Sequence, residues 1–335
     1  MLCILFIEWY NKQEVLPKMA MFSLLLICIC TVEVILGSAT PITPSAYAKV
    51  LKQGFSTNYF NTLNFDNVYD KQNVKDVYAK GFRNLRIPCT ANLEGLNMTV
   101  FLTNLETVVD DCLDVGVTPV ISWVYTEMEG NATAANQLDY LQWWTDVASQ
   151  LKDKDYGLSF SLFADWTEAA VKIIRNSGGN NKNRVIMLAS PIKDDDYVMV
   201  ETKTYASGPQ NQYEDEKCSG SPPRCWEDDG IKIGKVIVDK NIDDATNNKT
   251  TSGLPVYWGS WSAVDNKSGT LNQTEVIDFC KYFVNALKTE SIPWSLNSLD
   301  LFYDTSKSAW LTGLQTVKDQ QFNMSFILDA IVTNL

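Results

Sequence analysis

From residue 54 onward, short apolar runs alternate with stretches of helical periodicity. Gly54–Phe60, Phe82–Pro88, Val117–Trp123, Gly157–Phe163, Arg184–Leu188, Tyr197–Tyr205, Pro255–Trp258 and Ile292–Asn297 read as strands. Near-continuous apolar runs are how parallel strands look when both faces are covered. Between them lie helical patterns. Asp70–Lys80 sets Val74, Val77 and Tyr78 on one face, and Gly81 stops it. Val100–Val115 spaces Leu102, Leu105, Val108, Val109 and Leu113 for burial and ends at Gly116. Further helices are predicted over Leu138–Leu151, after the fourth strand through Arg175, near Ile233–Asp244, over Thr274–Lys288 and over Phe322–Val332. Residues 40–53 read as an approach segment, and residues 206–230 as a long acidic loop. Strand followed by helix, counted eight times without a break in composition, predicts an α/β fold. The count favours a single (β/α)8 TIM barrel over an open sheet.

Composition narrows the function. The chain has 335 residues, 45% of them hydrophobic, which is enough for one large core. A net charge of −12 disfavours a phosphate backbone, so nucleic acid is not an expected partner. There is no histidine, which removes His triads, His metal sites and His proton relays together. No cofactor and no metal are expected, and Asp194–Asp196 reads as an acidic turn rather than a calcium site.

The N-terminal stretch reads as a targeting segment. Lys18 precedes an apolar run from Met21, which leads to the small residues Gly37, Ser38 and Ala39. Residues 1–39 are therefore expected to be a lead plus a secretory signal, with translation from Met19 or Met21 as a variant. Residues 40–335 are expected to be a secreted, monomeric barrel. Glu33 interrupts the run and no later stretch is long enough to span, so no membrane span is expected after signal removal. Six Asn-X-Ser/Thr sites, at Asn97, Asn131, Asn248, Asn266, Asn272 and Asn323, predict a glycosylated surface. Cys218 and Cys225 bracket a short loop that a disulfide would staple. Cys89, Cys112 and Cys280 are an odd number, so at least one is expected to be a buried free thiol.

Four stretches carry a resemblance. Lys80–Pro88 reads KGFRNLRIP, and Asn183–Leu188 reads NRVIML. Gly253–Ala263 reads GLPVYWGSWSA and leads into the helix through Phe283. Ile292–Trp294 is followed by LFYD at Leu301–Asp304. In order and spacing these resemble glycoside hydrolase family 5, the cellulase-like barrels, over about residues 50–335. The resemblance implies the barrel and a β-linked poly- or oligosaccharide as partner. It also implies a set of site positions. The family's second-strand Arg, which bonds the nucleophile carboxylate, is Arg86, here left without that partner. Tyr125 and Thr126 replace the third-strand His pair. Ala164, Asp165 and Trp166 replace Asn-Glu-Pro, which puts Asp165 at the acid/base position. Lys203 replaces the His of His-X-Tyr while Tyr205 keeps its Tyr, Ser260 replaces the nucleophile Glu, and Asn297 stands for the eighth-strand Trp.

Retaining hydrolysis needs two carboxylates about 5–5.5 Å apart. Asp165 could act as an acid, but a neutral Ser260 without a base is a poor nucleophile and offers no charge to an oxocarbenium-like transition state. Arg86, Tyr125, Trp166, Lys203, Tyr205, Trp258 and Trp261 are the expected ligand-facing residues, with alternation placing about half of the aromatics in the core. Glu201 and Lys203 share a strand face and read as a buried ion pair rather than a catalytic one. Glu127, Glu129, Glu168 and Asp265 read as solvated loop acids. Two readings stand. One is a secreted pseudo-glycosidase with a carbohydrate groove or a scaffold role. The other is an active O-glycosyl hydrolase of the endo-β-glucanase class, using Asp165 as acid.

Overall fold

Eight parallel strands close on themselves in the computed structural model, each bonded to the next and the last to the first. They are β1 (Gln53–Ser56), β2 (Asn84–Thr90), β3 (Thr118–Val124), β4 (Ser159–Ser161), β5 (Ile186–Leu188), β6 (Val198–Thr202), β7 (Val256–Ser262) and β8 (Trp294–Asn297). The structure describes residues 40–91, 93–124, 133–162, 166–192, 194–210, 226, 231–266 and 271–335. The helices are α1 (Pro44–Leu51), α2 (Lys71–Ala79), α3 (Met98–Val115), α4 (Ala134–Leu151), α5 (Thr167–Asn176), α6 (Ile231–Ser252), α7 (Gln273–Thr289) and α8 (Met324–Val332). Among the described residues none is long and apolar enough to cross a membrane.

The expected barrel is present, with local differences that have local causes. The approach segment holds a helix, α1. Thr43 Oγ1 accepts from Ala46 N at its start and Pro44 opens its first turn. Asn97 and Asn272 cap α3 and α7 in the same way, and Glu275 completes a capping box. No helix lies between β5 and β6 among the described residues, so the alternation is broken once. Two antiparallel hairpins precede α8: Tyr303–Asp304 (β9) with Ala309–Trp310 (β10), and Leu314–Val317 (β11) with Gln320–Asn323 (β12). β6 stops at Thr202 rather than Tyr205, whose φ of 65° takes the chain out of extended geometry. β7 runs on past Trp258 to Ser262 through a register shift between Trp258 and Trp261.

Strand alternation divides the buried side chains into two sets. One set faces the helices and forms the larger cluster, with Leu85, Ile121, Phe160, Ile186, Val198, Trp258 and Leu296 among its members. The other set faces the axis. Its apolar part is Val120, Val185, Met187, Met199 and Tyr257, closed from below by Tyr47 and Leu51 of α1. Tyr47 OH donates to Gly157 O at 2.8 Å, and Asn84 Nδ2 donates to Leu51 O at 2.9 Å, which seats α1 across the N-terminal end of the barrel. The other end, where the strands point, is the mouth.

Candidate functional site

The axis changes character toward the mouth. Low in the barrel, Tyr257 OH and Ser295 Oγ lie 2.6 Å apart, and Ser295 Oγ donates to Asn84 Oδ1 at 2.6 Å. Burial pushes the Tyr257 phenol well above its usual value, with Arg86 pulling the other way. Above this neutral chain sits Glu201, with its side chain 2% exposed. Ser161 Oγ donates to Glu201 Oε2 at 2.6 Å. Glu201 Oε1 is 3.7 Å from Arg86 Nε and 3.7 Å from Lys203 Nζ. Those separations give electrostatic contact but lie beyond hydrogen-bond reach.

Arg86 therefore has a carboxylate partner, contrary to the expectation that it would be left without one. The partner comes from β6 instead of β7. The predicted pair of Glu201 with Lys203 exists, but only half of it is buried. Lys203 is 46% exposed and approaches from the solvent, whereas Arg86 is 8% exposed and supplies the buried cation. Gly259 makes room for this arrangement. A Cβ there would lie 2.0 Å from Glu201 Oε1, so the carboxylate fills the space against a bare backbone.

Ser260 follows Gly259 on the irregular part of β7. It is nearly buried, and its φ of 145° falls in the region that favours glycine. Among the described residues its hydroxyl has no hydrogen-bond partner and no base beside it. Asp165, Tyr125, Thr126 and Ala164 lie outside the described residues, as do Glu127, Glu129 and the Cys218–Cys225 pair.

Three expected ligand-facing aromatics are placed elsewhere. Trp258, Trp261 and Tyr205 are each 0% exposed. Trp258 packs edge-on against Phe283, and its Nε1 donates to Thr204 O at 2.8 Å. Trp261 packs on Phe279, Phe283 and Trp294. Tyr205 lies against the same two phenylalanines of α7. They belong to the wall between barrel and helices: Trp258 faces outward by plain alternation from the axis-facing Tyr257, whereas the β7 irregularity and the left-handed turn at Tyr205 send Trp261 and Tyr205 outward. Trp123 is also buried, edge-on to Tyr140. Trp166 is the expected aromatic that stays half-exposed. Its ring rests 6.0 Å from Tyr140, and it borders a cavity of about 610 Å³ with Glu168, Lys172, Ser190 and Ile192. Asn297 is half-buried at the end of β8.

Other chemistry-bearing groups have structural roles. Asp265 is buried and accepts from Gln210 N at 2.8 Å, which corrects its reading as a solvated acid. Asp195 is held by Arg175 Nε and Nη2, both at 2.9 Å, which agrees with an acidic turn. Cys89, Cys112 and Cys280 are all buried free thiols, and burial pushes each well above the usual thiol range. Of the glycosylation sites, Asn97, Asn248, Asn266 and Asn272 are exposed and Asn323 half-exposed, while Asn131 lies outside the described residues.

Known proteins share this architecture. The profile of the cellulase family, glycosyl hydrolase family 5, matches residues 45–300. Endoglucanase A of Clostridium longisporum is 23% identical over 327 residues, and endoglucanase B of Paenibacillus lautus is 20% identical over 324. These alignments cover 83% and 82% of this chain but 59% and 57% of the relatives, so the chain spans little more than half the length of either. Among solved structures, an endoglucanase from Thermotoga maritima superposes with a TM-score of 0.67 at 17% identity, covering 87% of this chain and 100% of that one. A broad-specificity endoglucanase from Clostridium longisporum gives 0.65 at 19%, covering 88% and 99%.

Proposed function

Since the chain belongs to glycosyl hydrolase family 5, we propose that it is a carbohydrate-binding barrel that has lost retaining hydrolysis. One observation carries this reading. The arginine that would steady a nucleophile carboxylate is engaged by Glu201, beneath a backbone whose next residue is the neutral Ser260. Glu201 itself cannot replace the nucleophile from where it stands. Its carboxylate is 2% exposed and already faces two cations and one hydroxyl donor, so an anomeric carbon has no route to it. With one buried, neutralised carboxylate, the described part of the site lacks the pair that the double displacement requires.

The mouth is still suited to a sugar. Trp166 offers a half-exposed ring beside Glu168 and Lys172, in a cavity within the roughly 300–1,000 Å³ range of small-molecule sites. An aromatic face with polar groups at its edge fits the apolar face and hydroxyl rim of a pyranose. We assign a β-linked oligosaccharide as the ligand, and a secreted, glycosylated and monomeric state to the protein.

The test combines calorimetric binding with reducing-end release, using β-glucan and β-mannan oligosaccharides. Saturable binding without release, weakened by Trp166→Ala, is the expected result. Release that disappears in Asp165→Ala would overturn the reading and establish a hydrolase of altered mechanism. No binding at all would leave a scaffold.

A further inference from the structure

At the end of the barrel opposite the mouth, a second cavity of about 450 Å³ lies where α1, α6 and α7 finish and where β1, β7 and β8 begin. Its apolar lining includes Val256, Leu287, Ile292 and Trp294. Four lysines surround that lining: Lys49, Lys52, Lys249 and Lys288. Among the described residues no aspartate or glutamate lines it. Lys288 Nζ donates to Leu335 O at 2.6 Å. Lys49, Lys52 and Lys249 have no carboxylate within 4 Å among the described residues, although acids outnumber bases 40 to 28 in the chain.

Lysines near helix C-termini complement the helix dipole, and that accounts for each one separately. It does not account for their gathering around one apolar hollow. Mutual repulsion among like charges, with no aspartate or glutamate among the described lining residues to offset it, is unfavourable unless an anion joins them. We propose that this basal cavity binds a small anionic amphiphile, with a carboxylate or sulfate head among Lys49, Lys52 and Lys249 and an apolar tail against Val256, Ile292 and Trp294. The site is separate from the mouth, so it stands whether or not the mouth binds sugar.

The test is titration calorimetry of the purified full chain with decanoate, with decanol and inorganic sulfate as comparison probes. Decanoate is expected to bind at one saturable site, more tightly than either comparison probe. Lys49→Gln with Lys249→Gln removes two exposed ammonium groups and should weaken decanoate binding by roughly tenfold. Both side chains are exposed and unpaired, so the melting temperature should hold. Lys281→Gln, an exposed lysine that does not line the cavity, should leave binding unchanged. Decanol binding as well as decanoate would overturn the role of the lysines. Sulfate binding as well as decanoate would overturn the role of the apolar lining. No saturable decanoate binding, or an unchanged affinity in the double variant, would overturn the site.

Discussion

Glu201→Gln should destabilise the barrel far more than so small a change suggests. Glutamine keeps the volume beside Gly259 and still accepts from Ser161, so packing and that 2.6 Å hydrogen bond survive. Only the charge is lost, and Arg86 then stays buried without a counter-ion. At 3.7 Å and an effective dielectric near 20, the Coulomb attraction removed is about 4 kcal/mol. Breaking a buried pair by removing one partner costs about 3–5 kcal/mol in general, so the two approaches agree. Lys203 lies at the same distance but is 46% exposed, and Lys203→Met should cost less than about 1 kcal/mol. The assay is a urea titration followed by both fluorescence and far-ultraviolet dichroism, whose coincidence licenses two-state free energies. Arg86→Met closes a double-mutant cycle with Glu201→Gln. The double variant should be more stable than either single one, with a coupling of at least about 2 kcal/mol. If Glu201→Gln costs under about 1 kcal/mol, or the two changes simply add, Arg86 is not compensated by Glu201 and the account of the site fails.

Four other outcomes are expected. Gly259→Ala puts a Cβ 2.0 Å from Glu201 Oε1, and should cost at least about 1–3 kcal/mol in denaturant titration by overpacking. Ser260→Glu alone should yield no reducing-end release, because Arg86 is already engaged and a second carboxylate beside Glu201 repels it; hydrolysis by this single variant would contradict the proposal. Arg184→Lys should cost about 2–4 kcal/mol in thermal or denaturant melts. The buried guanidinium donates to Leu151, Lys154, Asp155 and Leu158 carbonyls and to Asn181 Oδ1, and an ammonium cannot reach that spread of acceptors. Tyr47, Tyr59 and Tyr257 are buried phenols whose titration burial pushes upward. A raised folded value means that their contribution is complete below the unfolded value near 10 and is lost as pH rises above it. Stability should fall by about 4 kcal/mol per pH unit above roughly pH 10 for these three together, read from urea midpoints against pH. A flat profile there would show that they ionise while folded.

The barrel was legible in the sequence because parallel strands covered on both faces are the simplest pattern to read: the run itself is the signal. Helix starts are legible to within a few residues from apolar spacing, and Asn97, Asp70 and Asn272 are the residues that cap them. Thr43 followed by Pro44 is the same kind of signal, but α1 precedes the first strand and so has no place in a strand–helix alternation. Trp261 and Tyr205 lie on the face opposite to the one that alternation gives, for a different reason. Period-two reasoning holds only while the strand is regular. The irregularity between Trp258 and Trp261, and the left-handed Tyr205, reset which face each later side chain takes. Gly259 lies inside the β7 irregularity and is a local sign of a bulge, whereas no glycine or proline at Tyr205 announces its left-handed turn.

Arg86 shows the limit of carrying positions across one at a time. The resemblance puts Ser260 at its usual partner position, so a residue-by-residue comparison leaves the arginine unpaired. Burial does not permit that. An uncompensated guanidinium at 8% exposure is costly enough that a sequence keeping the arginine must supply an acid from somewhere on the axis. Glu201 is the acid that strand alternation points inward next to it, and Gly259 is the residue small enough to let it in. The acid that holds the arginine thus stands on β6, below the surface of the mouth. On the proposed reading, a carboxylate placed there compensates the buried arginine and leaves Ser260 without the negative charge that retaining hydrolysis needs.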